Sequence, residues 1–264
     1  MTKQTTATTT DLRSISGLHL ALDPAALTLE FGPDTVHPPG ERRMLEDVRQ
    51  MLASPTAAGP EHLYTIYMGI CASQDFELLQ TQGLLYGAVV YNHGQIGNER
   101  LRSQGHIHSE KPGTGLRYSE VYEFWTGHGF VYLQKECAPE VSRALLVPVG
   151  PGDKVIVPLG WVHLTVAAKD EVLSFGAWCA AENQLEYAQL QALGGPAHFV
   201  LNDGDVVVNP RYRRVANVET VRPQDLPLLQ VPTDQPIYSA WQEDPSRFEF
   251  LPQPELARGV WDSL

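Results

Sequence analysis

At 264 residues and 43% hydrophobic content, the chain can form one large domain with extensions, or two small ones. Its 31 acidic against 19 basic residues leave a formal charge of -12, which speaks against a nucleic-acid backbone as partner. No apolar run reaches the length of about eighteen residues that a transmembrane helix needs, so no membrane partner is expected.

Met1 to Thr10 lacks the apolar core of a secretory signal and reads as a disordered tail. Residues 11–40 interleave Leu18, Leu20 and Leu22 with Pro24, Pro33, Pro38 and Pro39, the pattern of an irregular arm laid over a core. Met44, Leu45, Val48, Met51 and Leu52 then fall on one face at helical spacing, ahead of Pro55. From about residue 60 the pattern changes to short aromatic and β-branched runs: 63–68, 84–91, 120–125, 144–149, 154–157 and 172–178. Glycines 94, 97, 127, 129, 150 and 152 punctuate them. Many short strands in this rhythm predict a mainly β sandwich or barrel, not a βαβ fold. Leu185 to Leu193, stopped by Gly194-Gly195, reads as a short helix with a glycine end. Beyond it, nine prolines with scattered aromatics make residues 196–264 a wrap-around extension. The expected organisation is an arm and helix over 1–59, a barrel over 60–195, and the extension over 196–264 as part of the same domain.

Cys71, Cys137 and Cys179 are odd in number and widely spaced, which suits reduced, partly buried thiols of a cytoplasmic protein.

Chemistry concentrates in Gly105-His106-Ile107-His108, Glu120 and His163. Histidines at i and i+2 on a strand share a face. A carboxylate and a third histidine from other strands could close around one divalent ion, and this ligand set suits iron, nickel, manganese or zinc. Each residue alone has an ordinary reading: solvated histidines for the pair, a surface carboxylate for Glu120, a hydrogen-bonded core histidine for His163. The spacing joins them. Gly127 follows Glu120 where a strand should turn, and Gly152, Pro158 and Gly160 lead to His163 at the positions of a hairpin. Glu110 and Glu123 are rival carboxylates. Glu110 sits in a loop and Glu123 should face away from Glu120, so Glu120 is the expected ligand.

These two clusters resemble the two motifs of the cupin superfamily. The resemblance departs in the longer 109–118 loop and in Ala167, where an asparagine is usual. Ser119-Glu120-Val121-Tyr122, Gly127-His128-Gly129, Leu133-Gln134, Trp161-Val162-His163-Leu164-Thr165-Val166 and Glu186-Tyr187 look, more narrowly, like the cupin-type phosphoglucose isomerases, a metal-dependent family first recognised in archaea. The similarity covers roughly residues 60–195.

The resemblance implies a cupin jelly-roll (double-stranded β-helix) barrel with a few peripheral helices and N- and C-terminal extensions. It implies an aldose–ketose isomerase acting on glucose 6-phosphate and fructose 6-phosphate. One divalent metal ion per chain would be held by His106, His108, Glu120 and His163. Ser103 and Gly105 match positions that help hold the phosphate, and Tyr122 and Tyr187 match pocket tyrosines. Leu185 replaces an expected histidine, and Arg100, Arg102, Lys111 or Arg117 could compensate. The metal would act as a Lewis acid on sugar O1 and O2, with the hydrogen moved by Glu120 through an enediol or by a hydride shift; Tyr122 could bond the sugar. A cupin dioxygenase and a non-catalytic sugar-binding cupin are the competing readings. By analogy the chain is expected to form a homodimer.

Overall fold

The aromatic and β-branched runs form two sheets around a shared interior in a computed structural model that describes residues 9–264. Residues 1–8 of the expected tail lie outside the described residues. In chain order the strands that frame the barrel are β1 (Glu41–Met44), β2 (His62–Met68), β3 (Leu84–Tyr91), β4 (Ile107–His108), β5 (Glu120–Thr126) and β6 (Gly129–Gln134). They continue with β7 (Ala144–Val149), β8 (Lys154–Val157), β9 (Val162–Ala167), β10 (Leu173–Ala180), β11 (Leu185–Glu186) and β12 (Val218–Thr220). One sheet runs β8-β5-β10-β3-β2-β1, and the other runs β9-β6-β7-β12. The fold is mainly β, a jelly-roll barrel of the cupin kind.

Most strands read as solid apolar runs because both faces of each sheet are covered. Inside, Tyr64, Tyr91, Tyr122 and Phe175 of the larger sheet share a core with Val131, Leu133, Leu145 and Val147 of the smaller. Outside the larger sheet, Tyr86, Val90, Val121 and Trp178 pack against Tyr238, Trp241 and Phe248 of the C-terminal segment and against Leu20, Leu22 and Leu29. Outside the smaller sheet, Tyr132, Leu146 and Val166 meet Val200 and Tyr212.

Three local expectations change. The proline-rich arm is more regular than its composition suggests: Thr10–Asp11, Leu20–Asp23 and Thr28–Phe31 form a three-stranded sheet, with Pro24 in its tight turn. The expected 44–52 helix is short, α1 (Leu45–Val48) followed by a 3-10 turn over Arg49–Met51. Met44 ends strand β1, yet Leu45, Val48, Met51 and Leu52 are all buried as their spacing predicts. The expected 185–193 helix gives up its first residues to β11, which pairs with β4, and only Ala188–Ala192 is helical. Pairing satisfies backbone groups that a short helix would leave open at its start.

Candidate metal centre

His106 and His163 are brought side by side by backbone pairing. His106 N–H donates to His163 O at 3.2 Å and His163 N–H to His106 O at 3.1 Å. Their ring centroids lie 4.2 Å apart. His108, two residues on, presents its ring to the same side, 4.6 Å from His163. Gly105 precedes them at φ 79, a conformation that favours glycine, and a Cβ there would press on Leu164 and Leu190. Glu120 enters at the start of β5, in the other sheet, where it pairs with Val157 and Cys179. The site therefore spans the barrel interior.

Ligand atoms of His106, His108, Glu120 and His163 all lie within 4.8 Å of one another. Glu120 Oε2 is 3.4 Å from His108 Nε2 and 3.4 Å from His163 Nε2. Glu120, His108 and His163 are buried, and His106 is half-buried toward the cavity. His108 Nδ1 lies 3.2 Å from Tyr118 O, and His163 Nδ1 lies 3.1 Å from Trp161 O. A carbonyl can only accept, so both Nδ1 atoms carry the proton and both Nε2 atoms present a lone pair to the centre. His163 Nε2 is buried without a hydrogen-bond partner, and His106 Nε2 meets His108 Nε2 at 3.3 Å. Lone pairs converging on a carboxylate leave buried acceptors facing one another, an arrangement that a divalent cation would satisfy. The residues present fit a metal.

Electrostatics agree. Burial and the neighbouring imidazoles drive the pKa of His106 well below the ordinary histidine value, and burial lowers His163. Burial pushes Glu120 upward, but His108 and His163 outweigh it and hold the carboxyl well below the usual range. The low values at His106 and His163 favour neutral rings that can ligate, and the low value at Glu120 favours an ionised carboxylate. Tyr122 donates its hydroxyl to Glu120 Oε2 at 2.7 Å, and burial with the adjacent carboxylate raises its pKa.

Three of the four donors, His106, Glu120 and His163, open onto a cavity of about 230 Å³ with a mostly apolar wall. Ser103, Gly105, His106, Glu120, Tyr122, His163 and Tyr187 all line it. His108 is the exception: it sits behind the others, held by Tyr118 O. Ser103 Oγ already accepts from Thr165 N–H at 3.1 Å. Tyr187 stands 5.7 Å from the His106 ring. The rival carboxylates stay away. Glu110 is exposed in a hairpin, and Glu123 faces outward from the barrel interior, 3.2 Å from Lys154.

None of the cations suggested by the sequence lines this cavity. Arg102 is buried against Glu99 at 3.1 Å, Arg100 lies over Phe130, and Lys111 pairs with Glu255 at 3.1 Å. Arg117 pairs with Glu186 at 2.7 Å and braces His108 O. The residue that sequence reasoning missed is Arg43 of β1, which does line it. Its signal was faint, because Glu41-Arg42-Arg43 looks like a charged lead into a helix. Cys179 and Asn183 also line it. Alternation along β10 could have found Cys179, which follows Phe175 and Ala177 on one face.

The family model described as "Glucose-6-phosphate isomerase (GPI)" matches residues 44–217. The chain is 33% identical over 132 residues to a glucose-6-phosphate isomerase of Thermococcus kodakarensis, covering 49% of this chain and 65% of that protein. It is 32% identical to the enzyme of the same name from Pyrococcus abyssi over the same shares of each chain. The match thus spans under two thirds of these relatives' own length. Among solved structures, the hazelnut vicilin aligns over 49% of this chain and 33% of that chain, at 13% identity and a TM-score of 0.36. Because the family model covers more than half of the chain and includes all four converging donors, the protein belongs to the cupin-type glucose-6-phosphate isomerase family.

Proposed function

We propose that the protein is a metal-dependent isomerase that interconverts glucose 6-phosphate and fructose 6-phosphate. The observation that carries this reading is the convergence of three imidazoles and one carboxylate on one point beside a cavity, in a chain of this family. His106, His108, Glu120 and His163 would hold one divalent ion, with iron, nickel, manganese and zinc all compatible with the donor set. When bound, it would supply Lewis acidity to the sugar carbonyl and make the neighbouring C–H more acidic.

The chain's own groups do the rest. The contacts of Glu120 with His108, His163 and Tyr122 all fall on Oε2. Oε1 is therefore the atom we assign to carry a proton between C1 and C2. Tyr122 orients the carboxylate and presents its ring to the sugar. Ser103, Gly105 and Tyr187 bind the substrate along the cavity wall. The apolar lining keeps water from competing for these contacts. No helix among the described residues is long and apolar enough to cross a membrane. We place the enzyme in the cytoplasm, acting as a homodimer paired through sheet edges.

A coupled assay for glucose 6-phosphate formed from fructose 6-phosphate tests the reading, run on chelated protein and after adding back each metal. Turnover that vanishes with chelator and returns with metal is the expected result. Firm metal binding without turnover on any metal removes it, and metal-dependent oxygen uptake would point to the dioxygenase instead.

A further inference from the structure

Arg43 gives this cavity a second pole. We propose that Arg43 is the residue that grips the phosphate of the substrate, with Glu41 as the counter-ion that the phosphate displaces. The inference rests on the sugar-phosphate reading above and names the group that recognises the anionic end.

A dianion entering an apolar cavity must find compensating charge or forfeit its hydration. Among the described residues, Arg43 is the only lysine or arginine lining the cavity. It stands opposite Tyr64 in the β1–β2 ladder, and Glu41 stands opposite Ile66, so both charged side chains share the face that lines the interior. The register shifts between Arg43 and Met44, and an irregularity of this kind re-aims a side chain. Tyr64 and Tyr187 line the same cavity as Arg43. Tyr187 in turn stands 5.7 Å from the His106 ring. Tyr187 thus lines the cavity together with both His106 of the metal centre and Arg43.

The present partner of Arg43 suits exchange. Glu41 contacts it through one nitrogen, Nη1, and its side chain is 64% exposed, against 23% for Arg43. An exposed ion pair of this kind adds little stability. A phosphate can meet the planar fork with two parallel hydrogen bonds, which a single carboxylate oxygen does not. Arg43 thus supplies the anchoring charge in a chain where Leu185 occupies the place of an expected histidine.

Binding of 6-phosphogluconate and of gluconate, measured by calorimetry on manganese-loaded protein, tests this without relying on turnover. Arg43→Met should weaken 6-phosphogluconate about 30-fold, the loss expected for a charged hydrogen bond, and leave gluconate unchanged. Arg43→Lys should recover part of the affinity. Glu41→Gln, on an exposed side chain, should keep the fold and tighten 6-phosphogluconate about threefold by releasing the guanidinium. Equal affinity of Arg43→Met and wild type for 6-phosphogluconate overturns the proposal. So does a parallel loss for gluconate, or a Glu41→Gln protein that binds no tighter. Should wild type fail to isomerise fructose 6-phosphate while binding remains Arg43-dependent, the isomerase reading falls and the anion pole stands.

Discussion

His108 and His163 each give their Nδ1 proton to a backbone carbonyl, so the tautomer that exposes Nε2 is built into the chain's own path. Replacing His163 by alanine should remove a donor no neighbour can supply; metal content by elemental analysis should fall below one tenth of wild type. Protons compete with a metal for neutral imidazoles. Because His106 and His163 titrate below the ordinary 6.5, occupancy should persist as pH falls through that value and fail only at more acidic pH. Dialysis across that range with metal analysis checks the sign, and half-loss at or above 6.5 would contradict it. Tyr122→Phe removes the bond to Glu120 and should lower kcat about tenfold while metal content stays intact. At this scale the donors were legible, because ligand spacing on strands is a local property. Arg43 was not, because its role depends on which sheet edge β1 joins.

Strand β5 carries two acidic residues to opposite destinations. Glu120 points into the barrel, whereas Glu123 is buried beneath the C-terminal segment, paired across the ladder with Lys154 of β8. Ile237 N–H donates to Glu123 Oε1 at 3.1 Å, and Lys154 Nζ donates to Thr233 O at 3.1 Å. The pair thus ties β5 and β8 to the segment that crosses them. Burial outweighs Lys154 and raises the Glu123 pKa to about 7. Lys154→Met leaves a carboxyl without its partner and should destabilise by about 3–5 kcal/mol in urea unfolding. The double variant with Glu123→Gln should recover most of that loss. Element types followed from pattern where runs were long: β3 and β7 match their expected bounds. The two short helices did not, since four or five residues of helical spacing at 44–52 and 185–193 fit a strand end equally well.

Residues beyond the barrel complete its outer wall. Trp178 of β10 is fully buried, stacked on Tyr238 with centroids 5.5 Å apart, and packed against Trp241 and Phe248. Its Nε1 donates to Ile237 O at 3.2 Å. Trp241→Ala should therefore lower stability by about 3–5 kcal/mol, read from thermal or denaturant unfolding. Removing residues 223–264 would bare the face that holds Tyr86, Val121 and Trp178, and should yield an aggregating protein that binds hydrophobic dye. The tail is an apolar cover for the sheet that carries Glu120. Its prolines and aromatics signalled wrapping, but no local pattern could say which sheet they would meet.

The sequence by itself determined the chemistry: which side chains can ligate, which runs extend, and where glycine must turn the chain. Those are matters of residue type and spacing over a few positions, and they survive without knowing the fold. Tertiary structure alone decided that Arg43 faces the same cavity as His106, that Arg102 and Arg117 spend their charge elsewhere, and that Glu123 is a clasp. Each of these depends on which distant strand lies alongside, and pairing partners are selected by burial of whole faces rather than by any neighbour in the chain.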